Sequence, residues 1–108
     1  MPADGLSRAF AALSDPIRRD MVARLADGDA TVNELAEPYD VTVQAVSKHL
    51  RVLEEAGLVR REVRGREHWV SVQSDVLLQA ERWLSEQTTF WSKRADLLAE
   101  RLERKKRR

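Results

Sequence analysis

A mostly helical α+β domain, four short helices and one β-hairpin followed by a single long helix, is what this sequence predicts. Three observations carry that expectation. Residues 31–59 read as two short helical patterns with a tight turn between them, TVNELAEPYD and then VTVQAVSKHLRVLEEAGLV. Val59 to Val63 and His68 to Val72 alternate like half-buried strands around Arg64-Gly65-Arg66. From Asp75 to about Leu102 there is no Pro or Gly, and apolar residues recur at helical spacing. Helix, turn, helix and hairpin in this order make a winged helix-turn-helix with a two-stranded β-hairpin wing and a long C-terminal dimerisation helix.

Each element has a local reason. Leu6, Phe10 and Leu13 mark a first helix. Asp15-Pro16 starts a second: Asp caps it, and Pro at the first position gives up no needed hydrogen bond. Ile17, Met21, Val22 and Leu25 supply its apolar face, and Gly28 a stop. Thr31-Val32-Asn33-Glu34 reads as a capping box for a short third helix with Leu35 inward, ended by Pro38. Thr42 caps the fourth helix, Val46, Leu50 and Leu53 form its buried stripe, and Gly57 fits a left-handed C-terminal cap. The domain is expected over residues 1–102, with 103–108 a basic tail that frays into solvent.

Composition narrows the classes. A chain of 108 residues with 34% charged and 43% hydrophobic side chains suits one soluble folded domain. No apolar run approaches the ~20 residues that span a bilayer, and the opening MPADGLSRAF lacks a signal-peptide pattern. Cysteine is absent, so disulfides, thiolate metal sites and thiol nucleophiles are excluded. A cytoplasmic protein without metal or other cofactor is the expectation. The net charge of +1 is unevenly spread: residues 1–40 carry −4, residues 41–70 carry +2 and residues 71–108 carry +3. Positions 42–51 hold no acidic residue, and local sign governs attraction to phosphate.

The fourth helix is therefore the candidate reader of a DNA major groove. With Val46, Leu50 and Leu53 inward, Gln44, Ala45, Ser47, Lys48 and Arg51 lie on or beside the outer face. Gln44 suits an adenine edge, Ala45 a thymine methyl, Ser47 either kind of pair, and Lys48 guanine or phosphate. Arg51, further from the helix start, suits backbone phosphate, as do Thr42 and the amides it caps. His49 is expected to touch phosphate or hold the helix, and His68 to be half-buried on an inward strand position. Arg64 and Arg66 at the hairpin tip suit a minor groove or its phosphates; Arg60 and Arg61 are weaker candidates. Arg18 and Arg19 are placed to pair with Asp15 or Asp20, or to touch DNA.

The long helix carries two parallel seams. Leu77, Leu84, Trp91 and Leu98 recur every seven residues, and so do Val76, Trp83, Phe90 and Leu97. One seam packs a helix on its own domain; two, with three large aromatics, call for a partner helix. Leu6 and Phe10 of the first helix, with Trp83, Leu84, Phe90, Trp91, Leu97 and Leu98, are thus the expected homodimer surface. Trp83, Phe90 and Trp91 also admit a small-molecule effector pocket between subunits.

The segments LSDPIRRDMVARL (13–25), TVNELAEPYDVTVQAVSKHLRVLEEAGLV (31–59) and VRGREHWVSV (63–72) resemble the ArsR-type bacterial winged-helix repressors, over about residues 6–102. The resemblance implies a homodimer, joined through its first and last helices, on a double-stranded DNA operator of inverted-repeat symmetry. It implies repression of the chain's own or neighbouring genes. Metal-sensing members place cysteines in the third helix, or paired His and Asp/Glu in the last. Here the third helix reads Val32-Asn33-Glu34-Leu35-Ala36 and no His follows His68, so the chain resembles the metal-independent members, some of which share a run like Phe90-Trp91-Ser92-Lys93-Arg94. An alternative is a winged scaffold that binds another protein through its last helix. An enzyme is not expected: Gly-rich phosphate loops, nucleophile elbows and zinc-protease motifs are absent, and Glu54-Glu55 and Asp27/Asp29 read as solvated surface.

Overall fold

Side-chain caps set the starts of the first four helices in the computed structural model, which describes residues 4–107. Helix α1 (Gly5–Ala12) begins where the Asp4 carboxylate accepts from the Ser7 amide at 2.7 Å. Helix α2 (Pro16–Leu25) begins at Asp15, whose carboxylate accepts from the amides of Ile17 at 2.9 Å and Arg18 at 3.1 Å, with Pro16 at the first position. Strand β1 (Ala30–Thr31) leads into helix α3 (Val32–Ala36). There the Thr31 hydroxyl accepts from the Glu34 amide and donates to the Glu34 carboxylate, both at 3.1 Å. The capping box thus closes through its two side chains, because Thr31 itself lies in a strand.

Helix α4 (Val43–Glu55) starts at Thr42, whose hydroxyl accepts from the Ala45 amide at 3.1 Å. It ends in a Schellman cap: Leu58 N–H donates to the Leu53 carbonyl at 2.9 Å and Gly57 N–H to the Glu54 carbonyl at 3.0 Å. Gly57 has φ +76°, the left-handed conformation that this cap requires. Strands β2 (Val59–Arg64) and β3 (Glu67–Val72) pair antiparallel from Val59↔Val72 to Arg64↔Glu67. The two-residue turn takes Gly65 at φ +66°, with no positive φ at Arg66, the sign pattern of a type II′ hairpin.

The hairpin forms the expected two-stranded wing, and a third strand joins its base. β1 adds to β3 with register Ala30↔Val70 and Thr31↔Trp69, giving a three-stranded sheet in the order β1-β3-β2. Two residues are too few to show an alternating pattern, so the sequence carries no signal for this strand. Its effect is to tie the link between α2 and α3 to the wing, making the helix-turn-helix and the hairpin one body.

The core lies where α2, α3, α4 and the sheet meet. Met21, Leu35, Val46, Leu50, Leu53, Leu58 and Val70 are fully buried there. From α1 the buried residues are Ala9 and Ala12, while Leu6 and Leu13 are half-buried and Phe10 is exposed. Small side chains let α1 approach closely, which turns the larger ones toward the final helix. Arg24 stacks 5.4 Å over the Tyr39 ring and donates to the carbonyls of Leu35 at 2.9 Å and Glu34 at 3.1 Å; the Tyr39 hydroxyl donates to Asp20. This polar clasp closes the end of α3 onto α2.

Helix α5 (Ser74–Lys106) runs 33 residues, about 50 Å at 1.5 Å per residue, and sets the 73 × 31 × 27 Å shape. Ala80 is its buried residue, with Val76 and Leu77 half-buried against the core. α5 continues through Lys106, into the stretch where a frayed tail is expected. Glu, Arg and Lys are strong helix formers, and Arg104, Lys105 and Lys106 stand at the negative end of the helix dipole. Residues 1–3 and 108, which the expected domain limits include, lie outside the described residues. No described helix is long and apolar enough to cross a membrane.

Candidate nucleic-acid interface

Position along α4 decides what each side chain can do, since the helix turns roughly 100° per residue. With Val46, Leu50 and Leu53 in the core, the opposite face carries Gln44, Lys48 and Arg51, all exposed. The acidic residues of α4, Glu54 and Glu55, sit in its last turn, away from the end that would enter a groove. Ala45, Ser47 and His49 lie half-buried on the flanks. Thr42 uses its oxygen as a cap, leaving its hydroxyl hydrogen as a donor.

The two flanks have different neighbours. On the α2 side, His49 Nδ1 lies 3.2 Å from an Arg18 guanidinium nitrogen and 3.9 Å from the Asp15 carboxylate. Arginine has only donors, so the closer contact requires an unprotonated Nδ1 and leaves the other ring nitrogen with the proton. His49 therefore holds α4 against the start of α2. Arg18 also donates to the Ala11 carbonyl at 3.4 Å and to that of Ala12, and Arg19 to the Leu13 carbonyl at 2.7 Å. Neither arginine forms the ion pair with Asp15 or Asp20 that the sequence allowed, because the carbonyls ending α1 lie within reach of both. The Asp15 carboxyl is held below the usual carboxylate range, first by the Arg18 amide, against a smaller opposing effect of desolvation, and then by the Arg18 charge and the Ile17 amide.

On the wing side, Arg61 spans from β2 to α4. One guanidinium nitrogen donates to the Ser47 carbonyl at 2.8 Å and lies 3.2 Å from the Ser47 hydroxyl. Ser47 is thus an anchor for the wing as well as a neighbour of the reading face. Strand alternation puts Arg61 on the same face as Val59 and Val63, and that signal was available; what it holds, fourteen residues away, was not.

The hairpin tip separates its two arginines. Arg64 lies on the outer face of the wing, 3.2 Å from Asp29, 3.5 Å from Glu62 and 5.1 Å over the Trp69 ring. Asp29 first, then Glu62, raise its pKa further. Arg66 turns the other way and lines the cleft between the wing and α4. His68 also lines that cleft and is exposed, not half-buried as expected. It shares a face with the buried Val70, but the hairpin projects past the core by that point, so an inward direction no longer means an interior one.

The expected dimer residues form one stripe. Phe10 meets Trp83 edge-on at 5.9 Å, which joins α1 to α5. Beyond that contact Leu84, Phe90, Trp91, Leu97 and Leu98 are exposed, Trp91 to 60%. Among the described residues, no three His, Cys, Asp or Glu side chains gather as metal ligands would.

A cationic outer helix face, a wing beside it and a long helix with an uncovered apolar stripe define a winged helix-turn-helix module of the DNA-binding class. Residues 13–62 match the family described as Helix-turn-helix domain. The transcriptional repressor SdpR of Bacillus subtilis (strain 168) is 29% identical over 79 residues, covering 73% of this chain and 88% of that protein. The crystal structure of an ArsR family transcriptional regulator is 37% identical with TM-score 0.77, covering 82% of this chain and 98% of that one. A homodimeric winged helix-turn-helix DNA-binding domain from Mycobacterium bovis, solved by NMR, shares the fold at 22% identity and TM-score 0.65, covering 80% of this chain and 82% of that one. The chain belongs to the ArsR family of transcriptional regulators.

Proposed function

We propose that two copies of this chain, joined through α1 and α5, bind an inverted-repeat operator and repress transcription from it in the cytoplasm. The observation that carries this reading is the row of Gln44, Lys48 and Arg51 on the exposed face of α4, with carboxylates confined to the helix's last turn. Gln44 pairs with an adenine edge, and Lys48 with guanine or phosphate. Arg51 and the capped amides at Thr42 hold backbone oxygens. The likeness to SdpR, a named repressor, supports repression. The apolar stripe of α5, and the homodimeric state of the Mycobacterium bovis domain that shares the fold, support pairing. Nothing in this reading needs a metal or a cofactor.

Selection of bound fragments from random duplex DNA tests it. The expected product is an inverted repeat. Affinity for that repeat should fall about 10³–10⁵-fold between roughly 50 and 200 mM salt, the response to about 6–10 phosphate contacts. Recovery of no common sequence, together with salt-independent binding, would contradict the reading and favour a scaffold that binds protein instead.

A further inference from the structure

Ser47 stands on the flank of the reading row, three residues past Gln44 and one before Lys48, and it lines the open cleft between α4 and the wing. A serine hydroxyl ordinarily reads any base, because it has one hydrogen to give and two lone pairs to receive. Here its surroundings remove that freedom. One nitrogen of the Arg61 guanidinium, reaching over from β2, donates to the Ser47 carbonyl at 2.8 Å and lies 3.2 Å from the hydroxyl oxygen. Arginine has no acceptor, so in this contact the hydroxyl oxygen receives and its hydrogen stays unspent.

Serine and threonine within a helix often spend that hydrogen on the carbonyl four residues back. Thr88 and Thr89 do so in α5, donating to the carbonyls of Leu84 at 2.9 Å and Ser85 at 3.0 Å. Among the described side-chain hydrogen bonds, Ser47 takes part only as an acceptor. The neighbouring positive charge draws electron density from the oxygen, which strengthens the O–H as a donor and opposes the approach of a second donor. Arg61 is half-buried with its Nε sealed from solvent, which keeps the guanidinium against α4 and out of water.

We propose that Arg61 makes Ser47 a one-way reader of the major groove: its hydroxyl only donates, and it rejects cytosine on the strand it faces. Guanine offers N7 and O6 as acceptors, adenine N7 and thymine O4, whereas cytosine presents only its N4 amine there. Facing cytosine, two donors meet, and the hydroxyl hydrogen loses its water without gaining a partner. Ser47 is then a specificity-determining contact, and Arg61 a positioning residue that touches no base. The inference rests on the DNA-binding reading and adds to it a rule about sequence.

The test uses the full chain and the inverted repeat selected by the unaltered protein, with each base pair varied in both half-sites. At one position per half-site, cytosine should bind roughly 2- to 10-fold worse than any other base, the worth of one hydrogen bond. Ser47→Ala should erase that penalty. Arg61→Met should shrink it, by freeing the hydroxyl to accept from the cytosine amine, while preferences at other positions persist. Arg61→Lys, which keeps a donor, should retain part of it. Melting temperatures show which variants are folded. A second arm needs no Arg61 variant. With adenine at that position, 7-deazaadenine removes its major-groove acceptor; affinity should fall by a similar factor in the unaltered chain but not in Ser47→Ala. Three results overturn the proposal: cytosine tolerated wherever Ser47→Ala alters preference, a Ser47→Ala profile identical to the unaltered one, or a full cytosine penalty in folded Arg61→Met. Failure of the unaltered protein to select any common sequence would instead overturn the DNA reading itself, and this inference with it.

Discussion

Arg64 and Arg66 stand two residues apart in the sequence and face different surroundings. Arg64 is engaged by Asp29, Glu62 and the Trp69 ring on the outer face of the wing, whereas Arg66 opens onto the cleft beside α4. Arg66→Gln should weaken DNA binding by roughly 10-fold or more, the cost of a lost charge-assisted contact. Arg64→Gln should cost less, because an arginine already paired with two carboxylates has less charge to offer a phosphate. Anisotropy titrations at one salt concentration compare them. A second residue-scale prediction concerns Gly57. An L side chain in its left-handed conformation is strained by about 1–2 kcal/mol. An added Cβ would also stand 3.2 Å from Val76 Cγ2. Gly57→Ala should therefore lower the urea midpoint of unfolding with little effect on DNA contacts, and an unchanged midpoint would refute the assigned cap.

Elements, not single side chains, carry the response to pH. The carboxyls of Asp4 and Asp15 cap α1 and α2 and are held below the ordinary carboxylate range, in each case chiefly by a backbone amide: Ser7 for Asp4 and Arg18 for Asp15. A carboxyl with a depressed folded-state pKa contributes stability that is complete above its unfolded value and lost as pH falls through the folded one. Thermal stability should decline as pH drops below ~4, and Asp15→Asn should flatten part of that decline. A melting curve for Asp15→Asn as steep in pH as that of the unaltered chain would contradict the assignment. The Asp15 cap was legible in the sequence because it is closed within three residues. Legible for the same reason were the Schellman cap at Gly57 and the glycine at the hairpin tip. What the sequence withheld depends on distance. β1 is too short to show a period, the Arg61–Ser47 bridge joins separate elements, and His68 sits where a strand's inward face leaves the core. The inner face of α1 is likewise silent in the sequence: Ala9 and Ala12 pack closely there, while Leu6 and Phe10, expected at the homodimer surface, are half-buried and exposed.

At the scale of the molecule, α5 is an unfinished surface. Its first turns pack on the core, but Phe90, Trp91, Leu97, Leu98 and Leu102 lie more than half exposed along one helix. A stripe of this size at roughly 25 cal/mol per Å² favours a second apolar surface over water. Trp91→Glu with Leu98→Glu should convert a dimer to a folded monomer in sedimentation equilibrium and weaken operator binding, since each subunit would then hold one half-site alone. The central claim, that a joined pair sets two copies of α4 into successive major grooves, is tested most directly by moving the half-sites. Affinity should be measured for the selected inverted repeat and for the same repeat with about half a helical turn, ~5 base pairs, inserted at its centre. Loss of binding to the level of a single half-site is the predicted result. Equal affinity for both duplexes would contradict the claim, because a rigid pair cannot follow grooves that have rotated to the opposite face of the DNA.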